Sequence, residues 1–245
     1  MAREAARRRF FVEAIPAGGE VALPPEEAHH ALRVLRLRAG DAVELFDGRG
    51  GVAAGRIALA ERGRAAVEVQ SVGPAAPRVG PAVHLAFAVP KGKRLDWLLE
   101  KATELGAASL RAVVFARSVA GGEELTPARR RRWQGHCVAA AKQCGLDLLP
   151  GIEPTTDVEG LLAASSGRLG LLGAASDDAR ALPDALARRD GRDVVVAVGP
   201  EGGLCDDEVE RFAAAGFVPV RLGWTVLRTE TAAVALLAAV TALAG

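Results

Sequence analysis

Five apolar residues in a row, Val194–Val198, run without a spacer into Gly199-Pro200-Glu201-Gly202-Gly203. No other stretch limits the fold as much. A β-branched strand with no polar face needs both sides of its sheet covered, which points to a parallel sheet inside an α/β layer structure. The glycines that follow admit positive φ and let a ligand approach bare backbone. Asp206, Asp207 and Glu208 then suit the first turn of a helix, where carboxylates meet free N–H groups and the helix dipole. A second strand ends at Leu222-Gly223-Trp224-Thr225, and Thr229–Ala244 reads as a last helix. Two loops at the carboxyl ends of parallel strands are where open α/β sheets take their ligands.

Upstream, Gly73–Pro81 contains Pro74, Pro77 and Pro81 and reads as a linker over residues 74–81. It separates a domain at residues 1–73 from one at 82–245. The first reads as mainly β. Val43–Phe46 and Gly55–Leu59 flank Asp47-Gly48-Arg49-Gly50-Gly51, a hairpin signal, and Ala66–Gln70 alternates at period two. Pro25–Ala31 suggests a short helix, followed by a strand over Val34–Arg38 that sets Arg36 and Arg38 on one face. Together these suggest a small β-barrel. Beyond the linker the rhythm changes to strand–helix alternation. Val83–Val89 and Ala112–Phe115 read as strands, Leu95–Leu105 as an amphipathic helix stopped by Gly106, and Thr126-Pro127 as the start of an arginine-rich helix ending near Gly145. Further units follow around Ile152, Leu169–Leu172 and Ala179–Arg188.

Bulk properties exclude little. Net charge is +1, so no global field points to nucleic acid, but the 31 basic residues include only Lys91, Lys93, Lys101 and Lys142 as lysines. Arginine is therefore the expected partner for any anion. The three cysteines, Cys137, Cys144 and Cys205, lack zinc-site spacing and suit a reducing cytoplasm. After Arg7-Arg8-Arg9 only Phe10-Phe11-Val12 is apolar, too short for a signal-peptide core, and the final helix carries Glu230. A cytoplasmic protein with no membrane segment and no metal is the expectation.

The glycine loop is not a P-loop, because GPEGG lacks the lysine and hydroxyl of that motif, and Glu201 would repel a phosphate. GxGxxG is absent as well. The loop suits a ligand with base edges and sugar hydroxyls but no phosphate. VGPEGG followed by LGxxVLRTETA closely resembles the two signature motifs of the SPOUT methyltransferases. More narrowly, the chain resembles the bacterial family that methylates N3 of a uridine in 16S ribosomal RNA. Arg9-Phe10-Phe11, HHALRVLRLRAGDAVELFDGRG, PKGKRLDWLLEKATELGA and ARSVA match that family in the same order. The chain departs from it at Leu146, at Trp224-Thr225 and in the weakly matching GLLGAAS segment, Gly170–Ser176.

The resemblance implies an N-terminal PUA-like RNA-binding β-barrel and a C-terminal parallel-sheet SPOUT domain with a trefoil knot. It also implies S-adenosylmethionine as cofactor, 16S ribosomal RNA or the small ribosomal subunit as partner, and a homodimer. By carry-over, Gly199, Pro200, Glu201, Gly202 and Gly203 form one wall of the cofactor site, and Leu222, Gly223, Val226, Leu227 and Arg228 the other. Uridine N3 carries a proton at neutral pH, so transfer needs a base, or a cation beside the flanking carbonyls. Arg228 and Glu230 are the catalytic candidates, and a helix-start ion pair is the bland alternative. Arg9, His30, Arg33, Arg36 and Arg38, with Lys91, Lys93 and Arg94 at the second domain's PKGKR loop, are the candidate RNA contacts. His30 and His29 otherwise pack at the barrel edge, and Trp97 reads as core. A knotted enzyme acting on another RNA atom, such as a ribose 2′-oxygen, and a catalytically silent RNA-binding homologue remain open on sequence alone.

Overall fold

In a computed structural model, residues 8–61, 63–119, 124–174, 176 and 179–244 are described. Arg7, Ala120 and Ala175, each within a segment singled out above, lie outside the described residues. Met1–Pro77 with Val138–Leu149 form one compact unit, and Arg78–Cys137 with Pro150–Gly245 the other. Residues 138–149 thus join the first unit, although the sequence reading placed them in the second domain.

In the first unit a five-stranded sheet has the order β1-β3-β4-β5-β2. Its strands are β1 (Arg9–Phe11), β2 (Gly19–Ala22), β3 (Ala42–Phe46), β4 (Val52–Glu61) and β5 (Arg64–Val72). β1 runs parallel to β3 and the remaining pairs are antiparallel. Alternation along β4 buries Ala53, Gly55 and Ile57 against Phe10, Leu45 and Val67. Gly55 is required there: a Cβ would lie 2.5 Å from the Glu68 carbonyl oxygen, beside a register shift between Ala54 and Gly55. The Asp47 side chain ties the β3–β4 turn, accepting from the N–H of Arg49 at 2.7 Å and of Gly51 at 2.9 Å.

The short helix is α1 (Pro25–His29), but the strand expected over Val34–Arg38 does not form. The chain instead continues as a π-helical turn, His30–Val34, in which Leu35 N–H donates to His30 O. Leu37 N–H then donates to Ala31 O and Arg36 takes φ 55°. Leu37 still turns inward, so its alternation with the arginines reflects a winding loop rather than a pleat. Phe46, Val138 and Ala141 form a smaller core with Leu146 and Leu149 at its margin, which explains why residues 138–149 belong to this unit.

The second unit holds a seven-stranded, all-parallel sheet of order β10-β12-β9-β11-β6-β7-β8. In chain order the strands are β6 (Val83–Phe87), β7 (Ser109–Val114), β8 (Gly151–Asp157), β9 (Leu169–Gly173), β10 (Arg180–Ala181), β11 (Val194–Val198) and β12 (Val218–Arg221). The helices are α2 (Lys93–Glu104), α3 (Pro127–Cys144), α4 (Val158–Ala164), α5 (Leu182–Leu186), α6 (Asp206–Ala214) and α7 (Thr229–Ala244). β11 is buried along its whole length, as its sequence requires. Val195 and Ala197 join Leu161 of α4 and Phe212 of α6 in one cluster, while α7 packs with α2 against β6 and β11. Trp97, expected in the core, is 42% exposed on α2, whereas Trp133 of α3 is the buried tryptophan and packs against Phe87. No helix among the described residues is long and apolar enough to cross a membrane.

Candidate functional site

Because the sheet is parallel, the carboxyl ends of β12, β9 and β11, neighbours in that order, open on one edge. A cavity of about 590 Å³ lies there, inside the roughly 300–1,000 Å³ range of small-molecule sites. Leu172 and Gly173 at the end of β9, Leu204 and Phe212 around α6, and Ala232 and Leu236 of α7 form much of its apolar lining. Gly173 keeps the space open, since a Cβ there would sit 2.9 Å from Leu236 Cδ1.

The loop after β11 turns tightly, with Gly203 N–H donating to Pro200 O at 2.9 Å and Gly203 at φ 72°. Two anchors hold it. Thr229 at the start of α7 donates its hydroxyl to Gly199 O at 3.0 Å, joining this loop to the segment after β12. Glu208 accepts from Cys205 N–H at 2.9 Å to cap α6, and its other oxygen accepts from Ala116 N–H at 2.7 Å. A cap of this kind contributes about 1 kcal/mol, and here it also fixes the loop after β7. From that loop Arg117 reaches back and donates to Gly202 O at 3.1 Å. On the other side Arg94 Nη1 donates to Glu201 Oε1 at 3.1 Å and stands 3.6 Å from Glu230 Oε1. The lining is mostly backbone and apolar carbon, with one acidic residue, Glu201, and one basic residue, Arg221. It suits a ligand offering hydrogen-bonding edges.

Residues 78–241 match the family described as RNA methyltransferase domain, and residues 23–70 match RNA methyltransferase PUA domain. The chain belongs to the RNA methyltransferase family. It is 34% identical over 241 residues to ribosomal RNA small subunit methyltransferase E of Mycobacterium tuberculosis, covering 94% of this chain and 90% of that one. The protein of the same name from Bacillus subtilis is 28% identical, with 95% of each chain covered. A crystal structure of ribosomal RNA small subunit methyltransferase E from Neisseria gonorrhoeae, bound to S-adenosyl methionine, superposes with a TM-score of 0.86 at 31% identity, covering 96% of this chain and 97% of that one.

In this RNA methyltransferase Gly199, Pro200, Glu201 and Gly203 line the cavity, as do Leu222, Gly223, Val226 and Leu227. Gly202 does not. It faces Arg117, whose Cβ would be 3.3 Å from a Cβ at position 202. Gly173, Ala174 and Ser176 belong to the cavity although the weak GLLGAAS match left them out of the expected site, and Thr225 and Thr229 join them. Arg117 was also missed, and its signal was present in the ARSVA segment. Neither Arg228 nor Glu230 lines the cavity: Arg228 is exposed, and Glu230 is buried toward Arg94.

The expected RNA set divides by burial. Arg9 is a correction: it is 2% exposed, its guanidinium lies 4.2 Å from the Phe46 ring centroid, and it pairs with Glu44 at 2.9 Å and with Asp147. A cation so enclosed is out of reach of a phosphate in solvent. His30 is half-buried with its ring edge-on to Phe10 at 6.2 Å, and burial, then Lys142 and His29, push its pKa down. Arg33, Arg36 and Arg38 are exposed around the π-turn, and Lys91 and Lys93 are exposed before and at the start of α2. Arg94 is committed to carboxylates.

Proposed function

We propose that this RNA methyltransferase transfers a methyl group from S-adenosylmethionine to N3 of a specific uridine in 16S ribosomal RNA of the small ribosomal subunit. The observation that carries the reading is the cavity of about 590 Å³ between the GPEGG loop and the Leu222–Leu227 loop. Its residues fit the donor. Backbone groups around Gly199 and Gly203 suit base and sugar hydroxyls, and no phosphate has to be accommodated. When bound, S-adenosylmethionine supplies a methyl carbon activated by a positively charged sulfur.

The chain's own residues would do the rest. The cavity walls hold the donor in line with the acceptor, and such alignment accounts for much of the barrier lowering in a two-substrate displacement. Glu230 is taken to accept the N3 proton of uridine, its Oε2 having no hydrogen-bond partner among the described residues; because it is 6% exposed and outside the cavity lining, this requires the entering substrate to uncover it. Arg228, exposed at the preceding position but one, supplies positive charge for the uracil oxygens as N3 loses its proton. Arg33, Arg36, Arg38, Lys91 and Lys93 supply phosphate contacts. The reading needs no metal ion.

The same reading takes the first unit's sheet to close as a PUA-like barrel and the segment from β12 to α7 to thread as a trefoil knot. The Thr229–Gly199 hydrogen bond, which ties the segment entering α7 to the loop after β11, supports the second point. It also makes the enzyme a cytoplasmic homodimer. In the loop after β12 Trp224 is 98% exposed, and an exposed tryptophan of this kind anchors protein contacts.

The test is methyl transfer to small subunits from a strain lacking this gene, followed by mapping of the modified nucleotide. A 3-methyluridine in 16S ribosomal RNA is expected. Methylation at a ribose oxygen or another base would refute the N3 assignment, and absence of donor binding by calorimetry would favour a silent RNA-binding protein.

A further inference from the structure

Local rules alone would not put a cation at position 94. Arg94 lies in the first turn of α2 beside Lys93, behind an N-cap glycine at φ 63° that offers no side-chain cap. Helix N-termini carry partial positive charge, so a guanidinium there is unfavourable. Positions that break a local rule without local compensation are those where tertiary structure or function asks for the residue.

The Arg94 side chain keeps 35% of its surface exposed, while its guanidinium faces two carboxylates. Nε donates to Lys91 O at 3.3 Å, Nη1 donates to Glu201 Oε1 at 3.1 Å, and Nη1 is 3.6 Å from Glu230 Oε1. Glu230 is the counterpart. Its side chain is 8% exposed, Oε1 has only the long pairing with Arg94, and Oε2 has no hydrogen-bond partner among the described residues. A buried carboxylate oxygen without a donor is unfavourable, and a donor arriving with the substrate would complete it. Glu201 lines the cavity, so Arg94 links the cavity wall to the buried acid. It also separates two carboxylates that would otherwise repel each other.

We propose that Arg94 is a positioning residue for methyl transfer and not an RNA backbone contact. Braced by Glu201, it holds Glu230 so that Oε2 takes the imide proton of the target uridine. This rests on the uridine-N3 reading above. In that step the N3–H bond breaks, the proton passes to the Glu230 carboxylate, and the electron pair stays on N3. The carboxylate becomes a neutral acid and the negative charge moves to the uracil.

The experiment compares full-length Arg94→Ala, Arg94→Lys, Glu230→Gln and the Arg94→Ala/Glu230→Gln double variant. It measures kcat and KM on small subunits, donor affinity by calorimetry, RNA affinity across a salt series, and melting temperature as a check on folding. Arg94→Ala is expected to lower kcat by ~10²-fold, the scale of one general-base contribution, with RNA affinity and its salt slope retained. Arg94→Lys restores part of the rate. The double variant is no slower than Glu230→Gln alone, because Arg94 acts through Glu230. A drop in RNA affinity with the salt slope reduced by about one and kcat intact would make Arg94 a phosphate contact and overturn the proposal. Rate losses that multiply in the double variant would overturn it too. Failure of the unaltered enzyme to methylate uridine N3 would instead sink the reading of function, so the two failures are distinguishable.

Discussion

Substituting Arg9→Ala tests whether this residue supports the first unit or touches RNA. The side chain is 2% exposed, so its removal leaves two carboxylates without their cation. Stripping one partner from a fully buried pair costs about 3–5 kcal/mol. Here Glu44 and Asp147 keep 42% and 27% of their side-chain surface in water. Solvent can therefore rescue both, and roughly 2 kcal/mol of that range is the appropriate share. The guanidinium stacked on Phe46 adds about 1 kcal/mol. A loss of about 3 kcal/mol is a large fraction of a domain's usual 5–15 kcal/mol. For a unit of this size it lowers the melting midpoint by roughly 12 °C or more. Thermal unfolding followed by circular dichroism reads the midpoint, and binding to small subunits across a salt series reads the RNA contact. An unchanged midpoint together with weaker RNA binding and a salt slope reduced by about one would refute the reasoning and return Arg9 to the RNA interface.

Gly173→Val, which drives side-chain atoms toward Leu236 inside the cavity, should weaken donor binding in calorimetry by at least ~10-fold, or about 1.4 kcal/mol. Gly202→Ala should leave donor affinity within a few-fold, because position 202 faces Arg117 outside the cavity lining. Acid should destabilise the fold through His84, whose pKa burial lowers from 6.5, with Arg168 adding to the effect. The stability it contributes is fully present above about pH 6.5 and falls as the pH drops toward its folded pKa, since the unfolded state then binds the extra proton. Denaturant titrations of His84→Gln should show a shallower loss below pH 6.5, and an unchanged slope would refute this. Burial pushes the Cys137 thiol up to about 11, so in native protein at pH 7.5 a maleimide should label exposed Cys144 and spare Cys137. Equal labelling of both would contradict that burial.

Val194–Val198, the Asp47–Gly51 turn, the Thr126-Pro127 helix start and the final helix at Thr229 were legible because each is written in a local pattern. Apolar run, turn chemistry and capping act over a few residues and need no partner from afar. The same holds for the cavity-lining glycines 199 and 203, which sit at a strand end wherever the sheet is placed. The amino-acid order thus determined an α/β fold with a glycine loop after β11, and its motif pairing marked the family.

What tertiary structure alone decided was which distant groups meet. Arg9 finds Asp147 across 138 positions, and Arg94 finds Glu201 across 107. Whether an arginine faces a carboxylate, a ring or water depends on strand order and helix docking, and no short-range periodicity records either. The Val34–Arg38 alternation is ambiguous for the same reason: an inward Leu37 between outward arginines fits a pleated strand and a winding loop alike, and the helix before it selects the loop. The GPEGG loop is read locally as a cradle. The buried acid beside it, and the arginine that holds that acid, come together only when strands far apart in the chain lie side by side in one sheet.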